Sequence, residues 1–465
     1  MLKRHAISGL CLAITASAVQ AEDLLEIYRI ALENDAQFQA DDAAMKVDKQ
    51  ALPIAWAGLL PTLAGTASTS RTRTAYDGPI TAQYPVTLHS HSDAYGLSLN
   101  QPVFHLDRFF NVRQARDVAK QAEASYVAAT QNLILRVSTA YFDVLSAEDA
   151  LHFTSAQKKA FARQLEQTQQ RFDVGLIAIT DVHEARARYD DAVAQEIAAS
   201  NAVDDSFESL TEITGTPVHE LAKLKNDFKL EKPVPLKMEA WVAQAQVDNA
   251  HLRAAQFASK AAKEQYRAAQ SQHLPTVDFN GTYGRTHTGV SAVDSNAPAP
   301  DVTELEAFAS PGTLLNETAQ LSVSMPIFQG GGTYAAAKKA GYAFEQAKHH
   351  YDLTHRATVS QTRQAFRGVT TQISQVEALK QAVISNRSAL KATTAAYEVG
   401  TRTIVDVLNS QSDLFNAEKA YAQSRYHYIQ ETFKLKLAAG RLAPEDVIHI
   451  NASLAYDVSY EDKEG

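Results

Sequence analysis

The sequence predicts a mainly α-helical chain that carries four β-strands of membrane type and is folded as an internal two-fold repeat. Three observations carry this reading. The stretches "FDVGLIAITDVHEARARYD" at 172–190 and "YEVGTRTIVDVLNSQSDLF" at 397–415 match at an offset of 225 residues, which recurs from Asp181 to Asp406 and from Gly215 to Gly440. A fixed offset over such distances marks two copies of one structural plan. Residues 106–172 contain neither proline nor glycine, enough chain for a helix of about 100 Å. Four further segments alternate apolar with small polar residues, the period-two pattern of a lipid-facing barrel strand.

Taken in order, residues 1–21 hold Lys3-Arg4, an apolar run from Ala6 to Ala18 and a small-residue ending at Ala21. This is the form of a secretory signal peptide, and the mature chain is expected to start near Glu22. Repeat one, 22–215, is expected as a helix over about 23–58, strands at about 60–72 and 94–104, the long helix over 106–172, a tip turn, and a helix over 181–214. Repeat two, 239–440, follows the same plan: a helix over about 237–272, strands at about 274–286 and 317–328, a long helix over 333–399, a second turn, and a helix over 403–439. Residues 216–238, with Pro217, Pro233 and Pro235, link the halves as an equatorial segment, and 441–465 form an equatorial tail.

Prolines punctuate the plan. Pro61 and Pro275 stand where helix becomes strand, and Pro102 and Pro326 where strand becomes helix. Proline lacks the N–H that a helix interior needs and is tolerated at strand ends. Along the strands, Val277, Phe279 and Tyr283 share one face, and Thr276, Asp278, Asn280 and Thr282 the other. The offset changes from 214 to 224 between the paired strands, so the extra residues fall within 73–93 and 287–316, read as exposed loops. On the long helix Ala115, Ala119, Ala122, Tyr126, Leu133, Val137, Ala140 and Val144 step by threes and fours or their sums, an amphipathic stripe rich in alanine.

Composition excludes several classes. The chain of 465 residues has a formal net charge of −9, unfavourable to nucleic acid as a partner. The one cysteine, Cys11, lies in the signal segment, so neither disulfides nor thiol catalysis are expected. No later stretch approaches the ~18 consecutive apolar residues of a membrane helix, so a membrane span must be made of strands. Four strands cannot close a lipid-spanning barrel, which needs about eight. Open edges in hydrocarbon are prohibitive, so the chain is expected to oligomerise, two copies giving eight strands and three giving twelve.

The duplicated helix–hairpin–helix plan, the paired "LPT" and P-[VI]-F junctions, and the turns "VGLIAITDV" and "YEVGTRTIVDVL" together resemble the TolC family of outer-membrane efflux and secretion channels, from about residue 22 to about 450. The resemblance implies a homotrimer in the outer membrane, its twelve strands forming one barrel and its helices a coiled-coil barrel across the periplasm. It implies as partners outer-membrane lipid, a periplasmic adaptor (membrane fusion) protein, and an inner-membrane efflux pump or secretion ATPase. Carried over singly, Asp406 matches an acidic residue that narrows the periplasmic pore, and Tyr397 and Arg402 match residues that tie the coils shut to partners matching Thr180 and Asp181. Val174, Gly175 and Leu176, with Val399, Gly400 and Thr401, match the grooves that receive adaptor tips. The departure is Asn409, an amide where the family's best-known member has a second acid. It is expected to line the pore one turn from Asp406, as a ring of amides beside a ring of carboxylates.

Plainer readings stand beside these. Thr403 to Asp406 is a capping box, and Asp181 to Glu184 has the related D-x-x-E form. Gly175 and Gly400 read as tight-turn residues, and the Gly330-Gly331-Gly332 run as a strand-to-helix junction, since no Lys-[ST] follows for a phosphate loop. His89, His91 and Asp93 could share a strand face near the outer loop and read as a solvated rim rather than a metal site, and His349, His350 and His355 lack the spacing of a helical metal pair. No nucleophile–base pattern stands out, so no enzyme activity, cofactor or metal is expected. The alternative function is a non-channel periplasmic or surface coiled-coil structural protein, which leaves the alternating strands and the doubled turn unexplained.

Overall fold

The computed structural model describes residues 22–76, 86–295 and 312–456. The expected signal segment, the last nine residues and the two inter-strand stretches 77–85 and 296–311 lie outside the described residues. Helices dominate. After α1 (Leu24–Asn34), α2 (Ala36–Lys49) and α3 (Ala51–Ala57) come strands β1 (Thr62–Tyr76) and β2 (Val86–Phe104). Then follow α4 (Leu106–Asp173), α5 (Ile179–Thr214) and the two-residue β3 (Lys223–Leu224). The second half supplies α6 (Met238–Asp248), α7 (Ala250–Ser271), β4 (Thr276–Ser295), β5 (Gly312–Ser324), α8 (Gly332–Glu398) and α9 (Ile404–Ala438). The chain closes with α10 (Pro444–Asn451) and β6 (Leu454–Ala455). Both long helices form without interruption, as residues lacking internal proline should.

The chain divides into two compact units, each drawn from both halves. One contains Ala44–Glu123 and Ala254–Leu353 and holds the sheet, in which the strands run antiparallel in the order β1-β2-β4-β5. Strands β1 and β5 are its edges. Leu63, Leu97, Leu321 and Val323 lie on one exposed face of it, and Thr, Ser and Asn dominate the other. Among the described residues no helix is long and apolar enough to cross a membrane. The strands are longer than their alternation suggests: β2 begins at Val86 rather than about 94 and β4 runs on to Ser295 rather than about 286. The added stretch, with His89, Ser90, His91, Ser92 and Asp93, is polar on both faces, so period two gives no signal there. His89, His91 and Asp93 share one strand face, as expected, and that strand occupies part of the 73–93 stretch expected as loop. The glycine run behaves as a junction, with Gly330 and Gly331 at φ of 61° and 82° leading into α8.

The other unit contains Ala124–Arg253, Thr354–Gly465 and the N-terminal Met1–Ala43. Its core packs Tyr141, Phe142 and Leu145 of α4 against Leu24 and Ile27 of α1 and Ile429 and Phe433 of α9. The Tyr141 hydroxyl donates to the Ala222 carbonyl at 2.7 Å. The segment between the halves is built into the fold: Leu221 and Leu224 are buried, β3 pairs antiparallel with β6, and Leu221 bridges to Glu22.

Two expected helices are broken. The first divides at Asp35, which leaves helical geometry (φ −63°, ψ 112°) and caps α2 by accepting from Phe38 N at 2.6 Å. Asp35 also takes a bidentate pair from Arg136, at 2.7 and 3.0 Å. The second divides at Asn249, 214 residues later, whose Oδ1 accepts from Leu252 N at 2.9 Å. An Asp or Asn side chain offers the backbone an acceptor that competes with the helix, which is why these residues start helices mid-run. A further division before α3 precedes Pro53, which has no N–H to give to the turn before it.

Candidate functional site at the helix tips

Helices α4 and α8 end in the same turn. Gly175 N–H donates to Phe172 O at 2.8 Å and Leu176 N–H to Arg171 O at 2.9 Å; Gly400 and Thr401 do the same to Tyr397 O and Ala396 O at 3.0 and 2.9 Å. These paired bonds close the last carbonyls of a helix and require a left-handed residue. Gly175 and Gly400 supply it at φ 76° and 79°. Room is not what they provide: a Cβ at either position meets nothing within 4 Å. Around them Val174, Leu176 and Val399 stand 70–76% exposed, bare aliphatic side chains at the ends of two helices.

The helices that leave the turns start differently. Thr403 caps α9 in a complete capping box: its Oγ1 accepts from Asp406 N at 3.3 Å, while Asp406 Oδ2 accepts from Thr403 N and from the Thr403 hydroxyl, both at 2.9 Å. These bonds, with Arg402 at 3.8 Å from Oδ1, hold the Asp406 carboxyl below its ordinary range. At the equivalent start of α5 the cap is Ala178, which has no side-chain acceptor. Asp181 sits in the first turn but caps nothing with its side chain, which corrects the D-x-x-E expectation: the repeat keeps the third-position acid and has lost the hydroxyl before it. Beneath both starts lies a small core of Phe161, Ala185, Ala192, Ile404, Val407 and Leu408, with Tyr397 packed on its margin.

Of the residues expected to tie the coils, none meets its expected partner within one chain. Arg402 faces Asp406, and no hydrogen bond or ion pair links Arg402 or Tyr397 to Thr180 or Asp181. The Tyr397 hydroxyl is buried and has no hydrogen-bond partner, while the Arg171 guanidinium lies 5.0 Å from its ring centroid. Asn409 is exposed and engaged: Arg188 of α5 donates to its Oδ1 at 2.9 Å. Arg171 and Arg188 are the tip residues that sequence reasoning missed. Each acts through a tertiary contact more than 200 positions away in sequence, and no local pattern signals it.

The family model "Outer membrane efflux protein" matches residues 27–216 and 241–441, one copy per half. The outer membrane protein TolC of Escherichia coli K12 is 36% identical over 458 residues, covering 97% of this chain and 89% of that protein. The alkaline protease secretion protein AprF of Pseudomonas aeruginosa is 27% identical, covering 91% and 85%. Among solved structures, the Campylobacter jejuni CmeC outer membrane channel superposes with a TM-score of 0.76 at 16% identity over 98% of both chains, which speaks for the fold alone. A repeat of this plan, matched twice by one family and by relatives along nearly its whole length, makes the chain a member of the outer membrane efflux protein family.

Proposed function

We propose that the chain is the outer-membrane exit duct of a tripartite efflux pump or type I secretion system. Three copies would join their four-stranded sheets edge to edge, β1 of one to β5 of the next, and close a twelve-stranded barrel. Closure removes edges that hydrocarbon cannot satisfy. The six tips would then ring a periplasmic mouth, and the bare aliphatic turns at Val174, Leu176 and Val399 would receive a periplasmic adaptor protein. Relatives named for efflux and for protease secretion both belong to this group, so cargo is set by the inner-membrane partner and not by the duct.

The observation that carries this reading is the doubled tip: the same glycine turn, exposed apolar side chains and third-position acid at the ends of both long helices. The buried, unpartnered Tyr397 hydroxyl supports a closed mouth tied between subunits, because a neighbouring chain would supply the acceptor that its own chain lacks. Arg402, Thr180, Asp181 and Asp406 take their gating roles in the same ring. A photo-crosslinking side chain at Val399 in living cells tests the docking half. The expected product is a covalent adduct with a periplasmic adaptor, and an uncrosslinked protein in an actively exporting cell would count against it.

A further inference from the structure

The sheet carries its arginines, and its strand histidines, on one face only. Strand register puts Arg71 and Arg73 of β1, His89 and His91 of β2, and Arg285 and His287 of β4 on the same face. That face is also the one bearing Leu63, Leu97, Leu99, Leu321 and Val323. The opposite face of the four strands has no Lys, Arg or His among its described side chains. On the charged face the residues are also sorted along the strands. From Val277 to Arg285 it is largely apolar or aromatic, ending at Tyr95 and Tyr283; eight residues at ~3.3 Å make about 26 Å along the strand. At the usual ~35–45° strand tilt that length spans about 20 Å of height, most of the ~25 Å apolar band of barrel exteriors, which aromatic residues flank. The cations begin where that band ends, towards the hairpin ends and away from the helices.

The group is built to meet something anionic. Among the described residues Arg71, Arg73 and Arg285 form no ion pair. Among the described side chains two carboxylates, Asp93 and Glu317, share the face, and neither neutralises an arginine by direct contact. The His91 and His287 rings lie 6.2 Å apart between the arginines, and His287 Nδ1 is 3.1 Å from the Thr313 hydroxyl. Guanidinium groups match phosphate oxygens two at a time.

We infer that this patch binds the phosphate-bearing headgroups of the lipid leaflet on the side remote from the helices, fixing the height of the sheet in the membrane. The inference rests on the reading of the strands as a lipid-facing barrel. The occupant is a lipid and not a free anion, because the arginines continue, along the same strands and the same face, the apolar band on which acyl chains would lie.

The test uses the full-length protein in phosphatidylcholine vesicles, with spin-labelled phosphatidylglycerol or phosphatidylcholine as boundary probes. Wild-type protein is expected to favour phosphatidylglycerol, and each arginine neutralised should weaken that preference by about fivefold or less. The triple variant Arg71→Gln, Arg73→Gln, Arg285→Gln should lose the preference, and the charge-conserving triple Arg→Lys variant should keep it. Equal association of both lipids with wild-type protein, or an unchanged preference in the Gln variant, would overturn the inference. So would displacement of the labelled lipid by inorganic phosphate at equal phosphate concentration. Protein that does not enter vesicles would sink the membrane reading of the sheet itself, whereas protein that inserts and conducts without headgroup preference would sink only this inference.

Discussion

Gly440→Ala should destabilise the protein more than Gly400→Ala. Both glycines end a helix with a left-handed residue, at φ 72° and 79°. At Gly400 a methyl group would meet nothing within 4 Å, so Gly400→Ala should cost only the backbone term, about 1 kcal/mol. At Gly440 the same methyl would lie 2.3 Å from the Asp248 carbonyl oxygen and 2.6 Å from Asn249 N, inside the break between α6 and α7. Neither helix end can rotate away as a side chain could, so an overpacking cost of about 1–3 kcal/mol adds to the backbone term, giving about 2–4 kcal/mol in all. Hydrogen exchange by mass spectrometry reads this locally. The segment around Leu252 N, held by Asn249 Oδ1, should exchange about 30-fold faster or more in Gly440→Ala. It should be unchanged in Gly400→Ala, whose effect stays near the tip. Equal effects of the two substitutions, or native protection in Gly440→Ala, would refute the close-approach argument.

Further outcomes follow from the same geometry. Asp35→Ala removes a cap and strands the Arg136 guanidinium, and should lower stability by about 3 kcal/mol or more; Asp35→Asn, which restores the residue type found at Asn249, should cost clearly less in guanidinium denaturation. In planar bilayers, Asp406→Ala should nearly abolish block by a multivalent cation added on the periplasmic side. Asn409→Asp alone should deepen block little, because Arg188 is placed to pair with the new carboxylate, and should deepen it strongly only when combined with Arg188→Gln. Because the Asp406 carboxyl is held below its ordinary range, the cap it provides is complete above that range and is lost only as pH falls through the lowered value. Cation block should therefore survive acidification that protonates an unperturbed carboxylate, and block lost in the ordinary carboxylate range would contradict the capping geometry.

The long helices, the doubled turn and the strand-to-helix junctions were legible because each depends on local rules: absence of proline, a left-handed glycine, a hydroxyl three residues before an acid. The breaks at Asp35 and Asn249 were missed because neither proline nor glycine marks them. The 214-residue offset would have exposed them, since Asn34-Asp35-Ala36 aligns with Asp248-Asn249-Ala250. The upper halves of β2 and β4 were missed because strands that carry polar residues on both faces lose their period. The contacts of Arg188 with Asn409 and of Arg171 with Tyr397 belong to tertiary packing, which no local pattern encodes. The tip glycines are turn residues whose φ explains them, and a shortage of space does not.

On the proposed function, three such chains join into a closed duct gated at the tips by Tyr397 and Arg402. Single-channel conductance of purified wild-type protein and of the double variant Tyr397→Phe, Arg402→Ser tests it most directly, with the mass of the detergent-solubilised particle measured alongside. The expected result is a three-chain particle, a low-conductance wild-type channel and a severalfold larger conductance in the double variant. A stable monomer or dimer, or identical conductance in the two proteins, would contradict it.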